Sequence, residues 1–167
     1  EWTINDGIST NNAAVFWMDP AQGPSTSTVV LAQVTVATGS GGQAAAVLQG
    51  RSHGDAADWT MATSWDLSGG TAGPAPPPTP PPAEYATASV DTVSGSPDGF
   101  VTYTLTVTLS AATSNVYSIF GHDSMPLSIP AAYQVATPFG VDVAGANPLF
   151  FASTPEAEYD SWLTVGV

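Results

Sequence analysis

The stretch Phe100-Val101-Thr102-Tyr103-Thr104-Leu105-Thr106-Val107-Thr108-Leu109 decides the fold class. Val101, Tyr103, Leu105, Val107 and Leu109 alternate with Thr102, Thr104, Thr106 and Thr108. A period of two puts alternate side chains on opposite faces of an extended strand, so one face is apolar and the other is covered by threonine hydroxyls. Thr28 to Val36 repeats the pattern, with Val30, Ala32, Val34 and Val36 on one side. Ala13 to Met18, Gln43 to Gln49, Tyr85 to Val93, Asn115 to Phe120 and Ser161 to Val167 are the other predicted strands. Turn chemistry at Asp19-Pro20, Gly39 to Gly42, Ser94 to Gly99 and Gly121 to Pro126 separates them. No long segment keeps a 3.6-residue period, and one or two helical turns are expected only at Asp55 to Trp65 or Thr154 to Tyr159. Short strands at this spacing predict an all-β protein built as antiparallel β-sandwiches, jelly-roll or immunoglobulin-like.

The tract Pro74-Ala75-Pro76-Pro77-Pro78-Thr79-Pro80-Pro81-Pro82 interrupts the strand pattern. Proline fixes φ and lacks an N–H, so the tract is predicted to be a polyproline II linker. At 3.1 Å per residue it would span about 28 Å. The expected organisation is an N-terminal β lobe over 1–72, a Pro-rich linker over 73–84 and a C-terminal β lobe over 85–167.

Charged residues make up 9% of the 167-residue chain, and 14 carboxylates face one Lys or Arg, giving a net charge of -13. That sole base, Arg51, cannot neutralise a row of phosphates, which excludes nucleic acid as a partner and disfavours anionic membrane surfaces. No apolar run reaches the roughly 18 residues of a membrane-spanning helix, so membrane insertion is not expected. Cysteine is absent, which removes disulfides and thiolate metal sites. The chain opens at Glu1 rather than Met and is expected to be a processed or partial product. Its surface must be made largely of Ser, Thr, Asn, Gln and Gly, which suits polyhydroxylated partners or divalent cations.

The segments TYTLTVTLSAATSNVYSIFG (102–121), Phe139-Gly140 and YDSWLTVGV (159–167), with NAAVFWMDP (12–20), VVLAQVTV (29–36) and LQGRS (48–52), resemble a module of large secreted, repetitive surface or matrix proteins of aquatic microbes. The resemblance touches about half of the chain through packing motifs, so no functional residue carries over. In such modules the piece like 101–167 precedes the piece like 1–67. The order here is reversed, which implies a circular permutation or one register of a longer repeating polymer.

Both extremities read as strands with apolar residues, Trp2 and Ile4 at one and Trp162, Leu163, Val165 and Val167 at the other. Strands of this kind need a partner edge, and these six are the expected assembly residues. Gly50-Arg51-Ser52-His53-Gly54 matches G-x-S-x-G, but the strand-turn-helix setting which that motif needs is absent, and a polar turn with Arg51 paired to Asp55 or Asp58 is expected instead. His53 and His122 lack partners at zinc-ligand spacing. Glu156, Glu158 and Asp160 would share one face of a strand and are the candidate calcium ligands, calcium being the one cofactor considered. Trp17, Trp59, Trp65, Trp162, Tyr117, Tyr133, Phe139, Phe150 and Phe151 are core or sugar-stacking candidates. No Asn-x-Ser/Thr sequon occurs, so any glycan is O-linked, with Thr79, Ser25, Thr26, Ser27 and Thr28 as candidates.

The expected function is that of an extracellular or cell-surface structural protein, O-glycosylated and not an enzyme. Other copies of itself are the expected partners, assembled head to tail into a fibre or surface layer by strand exchange. A carbohydrate- or calcium-binding β-sandwich module is the alternative.

Overall fold

The computed structural model describes residues 2–54, 57–68 and 85–166. Within them the chain forms ten strands: β1 (Ile8–Thr10), β2 (Ala14–Phe16), β3 (Thr28–Ala37), β4 (Gln43–Ser52), β5 (Asp58–Asp66), β6 (Ala86–Val93), β7 (Phe100–Leu109), β8 (Thr113–Phe120), β9 (Leu127–Ile129) and β10 (Trp162–Leu163). Short 3-10 helices occupy Pro20–Gln22, Pro148–Phe150 and Pro155–Tyr159. Each has proline in its first turn, where the missing N–H costs nothing.

Two antiparallel sheets pack face to face. In the first, β4 is the centre: β5 pairs along one edge, β8 and then β9 along the other, with β2 outside β8 and β1 outside β9. The second has the order β10-β3-β7-β6. Val34, Leu105 and Val107 of the second sheet and Leu48, Trp65 and Ile119 of the first belong to one buried cluster. The all-β antiparallel sandwich expected from the sequence is therefore the fold.

Its organisation differs from two lobes. β3 and β4 precede the Pro-rich tract, yet β3 pairs with β7 along nearly its whole length and β4 pairs with β8. Both sheets draw strands from either side of residues 69–84, and one core serves both. The reason is energetic: a lobe of some 70 residues buries too small a fraction of its surface to be secure, whereas interleaving yields one larger core. The Pro-rich tract, including Thr79 and the polyproline II conformation expected of it, lies outside the described residues.

Three further departures have local causes. Asp58–Asp66, within the stretch considered for helix, is strand β5, because Trp59, Met61, Thr63 and Trp65 alternate and the indoles of Trp59 and Trp65 enter the core. On β3 a register shift at Val30/Ala32 breaks the simple stripe, so that Val29, Leu31, Ala32, Val34 and Val36 are the buried apolar residues, and Thr35 is buried as well. On β7 the threonine face is only partly open to water: Thr102 and Thr106 are buried, Thr102 completely, while Thr104 is half-buried and Thr108 exposed. NAAVFWMDP and NPLFFASTP, which share an Asn, an apolar-aromatic pair and a closing Pro, form a strand in one case and a 3-10 helix in the other.

The extremities are completed within the chain. Trp162 pairs with Gln33 and Leu163 with Ala32, and the segment continues through Thr164 N–H to Leu31 O and Gly166 N–H to Val30 O. Leu163 and Val165 belong to the core. At the other end Trp2 is buried and donates its indole N–H to Pro130 O at 3.0 Å. Ile4 is 49% exposed, and Val167 lies outside the described residues. The apolar ends are thus not left unfinished in the isolated chain, as the sequence had suggested. Leu163→Ala should lower the unfolding free energy in urea by about 2–5 kcal/mol through the cavity it opens, with Ile4→Ala changing it by less than about 1 kcal/mol.

Candidate functional site

The chemistry-bearing residues singled out in the sequence are spent on structure. Gly50 of the G-x-S-x-G match lies on β4, where a Cβ would overlap the Asn115 carbonyl and the Trp59 indole. Its glycine is a packing requirement. Arg51 faces Asp58, Nε to Oδ1 3.8 Å, the pairing expected of it, but the two meet across the β4–β5 strand pair and not within a turn. His53 Nδ1 lies 3.1 Å from Ser114 Oγ, but that hydroxyl donates to Ser52 O at 3.0 Å. The ring nitrogen therefore meets an oxygen lone pair and takes no proton from the serine. His122 Nδ1 accepts from the Ser124 backbone N–H at 3.3 Å and lies 3.0 Å from Ser124 Oγ, closing a local turn.

The acidic triplet does not converge. Pro155–Tyr159 is a 3-10 helix rather than a strand, so Glu156 and Glu158 point into solvent while Asp160 is fully buried. Among the described residues no cluster of three metal-ligating side chains forms. The calcium reading loses its geometric basis.

Asp160 instead ties down the long segment that covers the second sheet. Its Oδ1 accepts from Val135 N–H at 2.8 Å and its Oδ2 from Val141 N–H at 2.6 Å. Around it, Thr35 Oγ1 donates to Tyr159 O at 2.7 Å and meets Thr102 Oγ1 at 2.8 Å, while Thr35 N–H donates to Ser161 Oγ. Gln33 Nε2 spans Glu158 O and Asp160 O. These bonds explain why Thr35 of β3 and Thr102 of β7 are dry. Burial pushes the Asp160 carboxyl above the ordinary aspartate value, while backbone N–H groups of Val135, Val141 and Ser161 pull the other way and the Asp142 charge adds to the rise.

The opposite side of the molecule is open at Phe16 and around Asn12, though Val47, Tyr117 and Ser118 on it are buried. Core-facing Val15, Ile119, Leu48 and Met61 align across β2, β8, β4 and β5, so their neighbours point outward. One outward row is Phe16, Ser118, Gln49 and Thr60; the next is Ala14, Phe120, Val47 and Ala62. A register shift after Gln49 leaves Tyr117 as an extra residue on β8. Tyr117 is buried outside the core cluster, and its hydroxyl is raised in pKa by burial first, then by the Asp58 carboxylate, with Arg51 and Gln49 opposing. A shallow groove of about 280 Å³ runs here, lined by Asn12, Ala14, Gln49, Ser118 and Phe120 among others. Beside it Phe16 is 58%, Trp17 43% and Met18 88% exposed. Asn115 fixes the rim, accepting from Arg51 N–H and donating to Pro20 O.

Sequence reasoning had Trp17 among its aromatic candidates but missed Phe16, Phe120, Gln49 and Asn12. The adjoining aromatics of NAAVFWMDP were the available signal; the β2–β8–β4 pairing that aligns them was not. Trp59 and Trp65 are core, the former stacked on Tyr85 with ring centroids 5.3 Å apart. The chain matches no protein-family model, no curated protein and no solved structure.

Asp160 yields a pH signature. Because its folded pKa is raised, the folded state holds its proton more tightly than the unfolded state, and stability falls as pH rises from the ordinary aspartate range (about 3.9) through the folded value. Urea denaturation from pH 4 to 7 should show this slope in the native chain and a flatter one in Asp160→Asn. Asp160→Ala, which strands the N–H groups of Val135 and Val141, should lose about 2–4 kcal/mol at pH 7.

Proposed function

We propose that the chain is a non-catalytic structural module of an extracellular fibre or surface layer, joined head to tail to further copies of itself and carrying O-glycans. The observation that carries this reading is the seating of β10. It is a two-residue pairing at an edge of the second sheet, yet its Leu163 and the following Val165 plug the core. An edge strand that fills a slot in its own chain would make the same contacts in the identical slot of a neighbour, so exchange between copies adds no new interface chemistry and comes at low cost. The resemblance to modules of secreted repetitive matrix proteins, and the reversed order of its pieces, support the same reading.

The hydroxyl-rich exterior fits glycan attachment. Ser25, Thr26, Ser27 and Thr28 are all exposed, in the loop that leads into β3. The engaged geometries of His53, Ser114 and His122 favour a structural role over hydrolysis.

Light scattering behind size-exclusion chromatography, with negative-stain microscopy of the same fractions, tests the assembly. Filaments or a concentration-dependent ladder of oligomers are expected, and Leu163→Asp should abolish them. A single monomeric species from micromolar to millimolar concentration refutes exchange. Intact-mass spectrometry of the protein from its own cells should show hexose-spaced additions that vanish when Ser25, Thr26, Ser27 and Thr28 are replaced by alanine together with Thr79.

A further inference from the structure

We propose that the outward face of the first sheet, between β2 and β4, is a binding site for a neutral carbohydrate chain. The site stands independently of the assembly reading, since it uses neither terminal strand.

Four observations converge on this face. Phe16 and Trp17 are large aromatic side chains with 58% and 43% of their surface in solvent, on a chain whose other tryptophans are buried or partly buried. Phe16 lies against a sheet face, not within a core seam, because it is aligned with Ser118 and Gln49 in one outward row, and Trp17 follows it just past the end of β2. The apolar C–H face of a sugar ring lies flat on such a ring, while its hydroxyls need donors and acceptors alongside. Those are present: the groove beside the aromatics is lined by the amides of Asn12 and Gln49 and by the Phe120 ring, with the largely buried Ser118 at its floor. Its volume of about 280 Å³ lies below that of most drug-sized pockets, and its open shape admits a chain passing along the surface.

Charge selects the ligand class. The only basic side chain, Arg51, is held against Asp58, and the chain carries a net -13. Sulfated or uronic polysaccharides would be repelled without a local cation to offset the field. Neutral hexose or pentose polymers are the class that remains. The face is also preorganised: β2 is pinned to β8, Trp17 N–H donates to Tyr117 O at 2.8 Å, and the Tyr117 hydroxyl lies against Gln49 on the same side of the sheet.

Affinity electrophoresis of the full chain through gels containing hydroxyethylcellulose, galactomannan, mannan or xylan tests the site, with alginate as the anionic comparison. Retardation is expected in at least one neutral polymer and not in alginate. Phe16→Ala and Gln49→Ala should each weaken retention about tenfold, and both are exposed or half-buried positions whose melting temperatures should stay near the parent value. Thr87→Ala, on the exposed face of β6 in the other sheet, should leave retention unchanged. Migration unaltered in all four neutral polymers, retention confined to alginate, or equal retention of the parent, Phe16→Ala and Gln49→Ala would each overturn the proposal. Because the readout is migration of dilute protein, it is independent of whether filaments form at high concentration.

Discussion

The antiparallel pairing of β4 with β8 is the constraint from which most of this structure follows. It joins residues 47–52 to 113–120, on opposite sides of the Pro-rich tract, and so forces the two parts of the chain into one sheet. On its inner side it sets Leu48 against Ile119 in the shared core. On its outer side it sets Gln49 beside Ser118 and Val47 beside Phe120. The bulge that leaves Tyr117 over provides an outward residue that closes onto Asp58 and Gln49. Gly50 makes the arrangement possible, since a side chain there would meet both the Asn115 carbonyl and the Trp59 ring. Packing and surface are therefore products of one register.

The two outer faces of the sandwich solve different problems. Over the second sheet, the segment that runs from Tyr133 to Ser161 has almost no regular structure, and its backbone groups need partners. Thr35, Gln33 and Asp160 supply them, with Thr102 and Ser161 engaging Thr35 in turn. A buried carboxylate without a cation is costly, but one whose two oxygens each accept a backbone N–H is compensated by geometry. The result is a dry, hydroxyl-stitched patch around Thr35 and Thr102, while Thr28, Thr87 and Thr108 of the same sheet stay exposed. Over the first sheet no such cover lies among the described residues that flank the groove, and the aromatic rings beside it stand in solvent.

Side chains that carry reactive chemistry elsewhere act here as connectors. The histidines close turns or meet a serine already committed to a carbonyl, and the base of the chain is used across strands β4 and β5. With so few charges, the molecule relies on hydroxyl and amide hydrogen bonds for specificity, and these are individually modest but numerous. Such a surface is well matched to partners that present hydroxyl groups of their own.

The sequence by itself determined the class of the fold. Alternation in Phe100–Leu109 and Thr28–Ala37 requires strands, and turn residues of fixed conformational preference place their ends within a residue or two. It also excluded thiolate chemistry and a membrane-spanning helix, because those depend on residues or runs that the chain lacks. Tertiary structure alone decided the pairing. Local periodicity carries no information about which apolar face meets which, so the sequence could not reveal that β3 joins β7 or that the terminal strand returns to Ala32 and Gln33. The same holds for Asp160. Its spacing from Glu156 and Glu158 suggested a shared face, and only the turn of Pro155–Tyr159 and the overlying backbone N–H groups made it a buried clasp. The open groove was equally illegible, because Asn12, Gln49 and Phe120 become neighbours only through cross-strand register, a long-range contact whose free energy is set by the whole core.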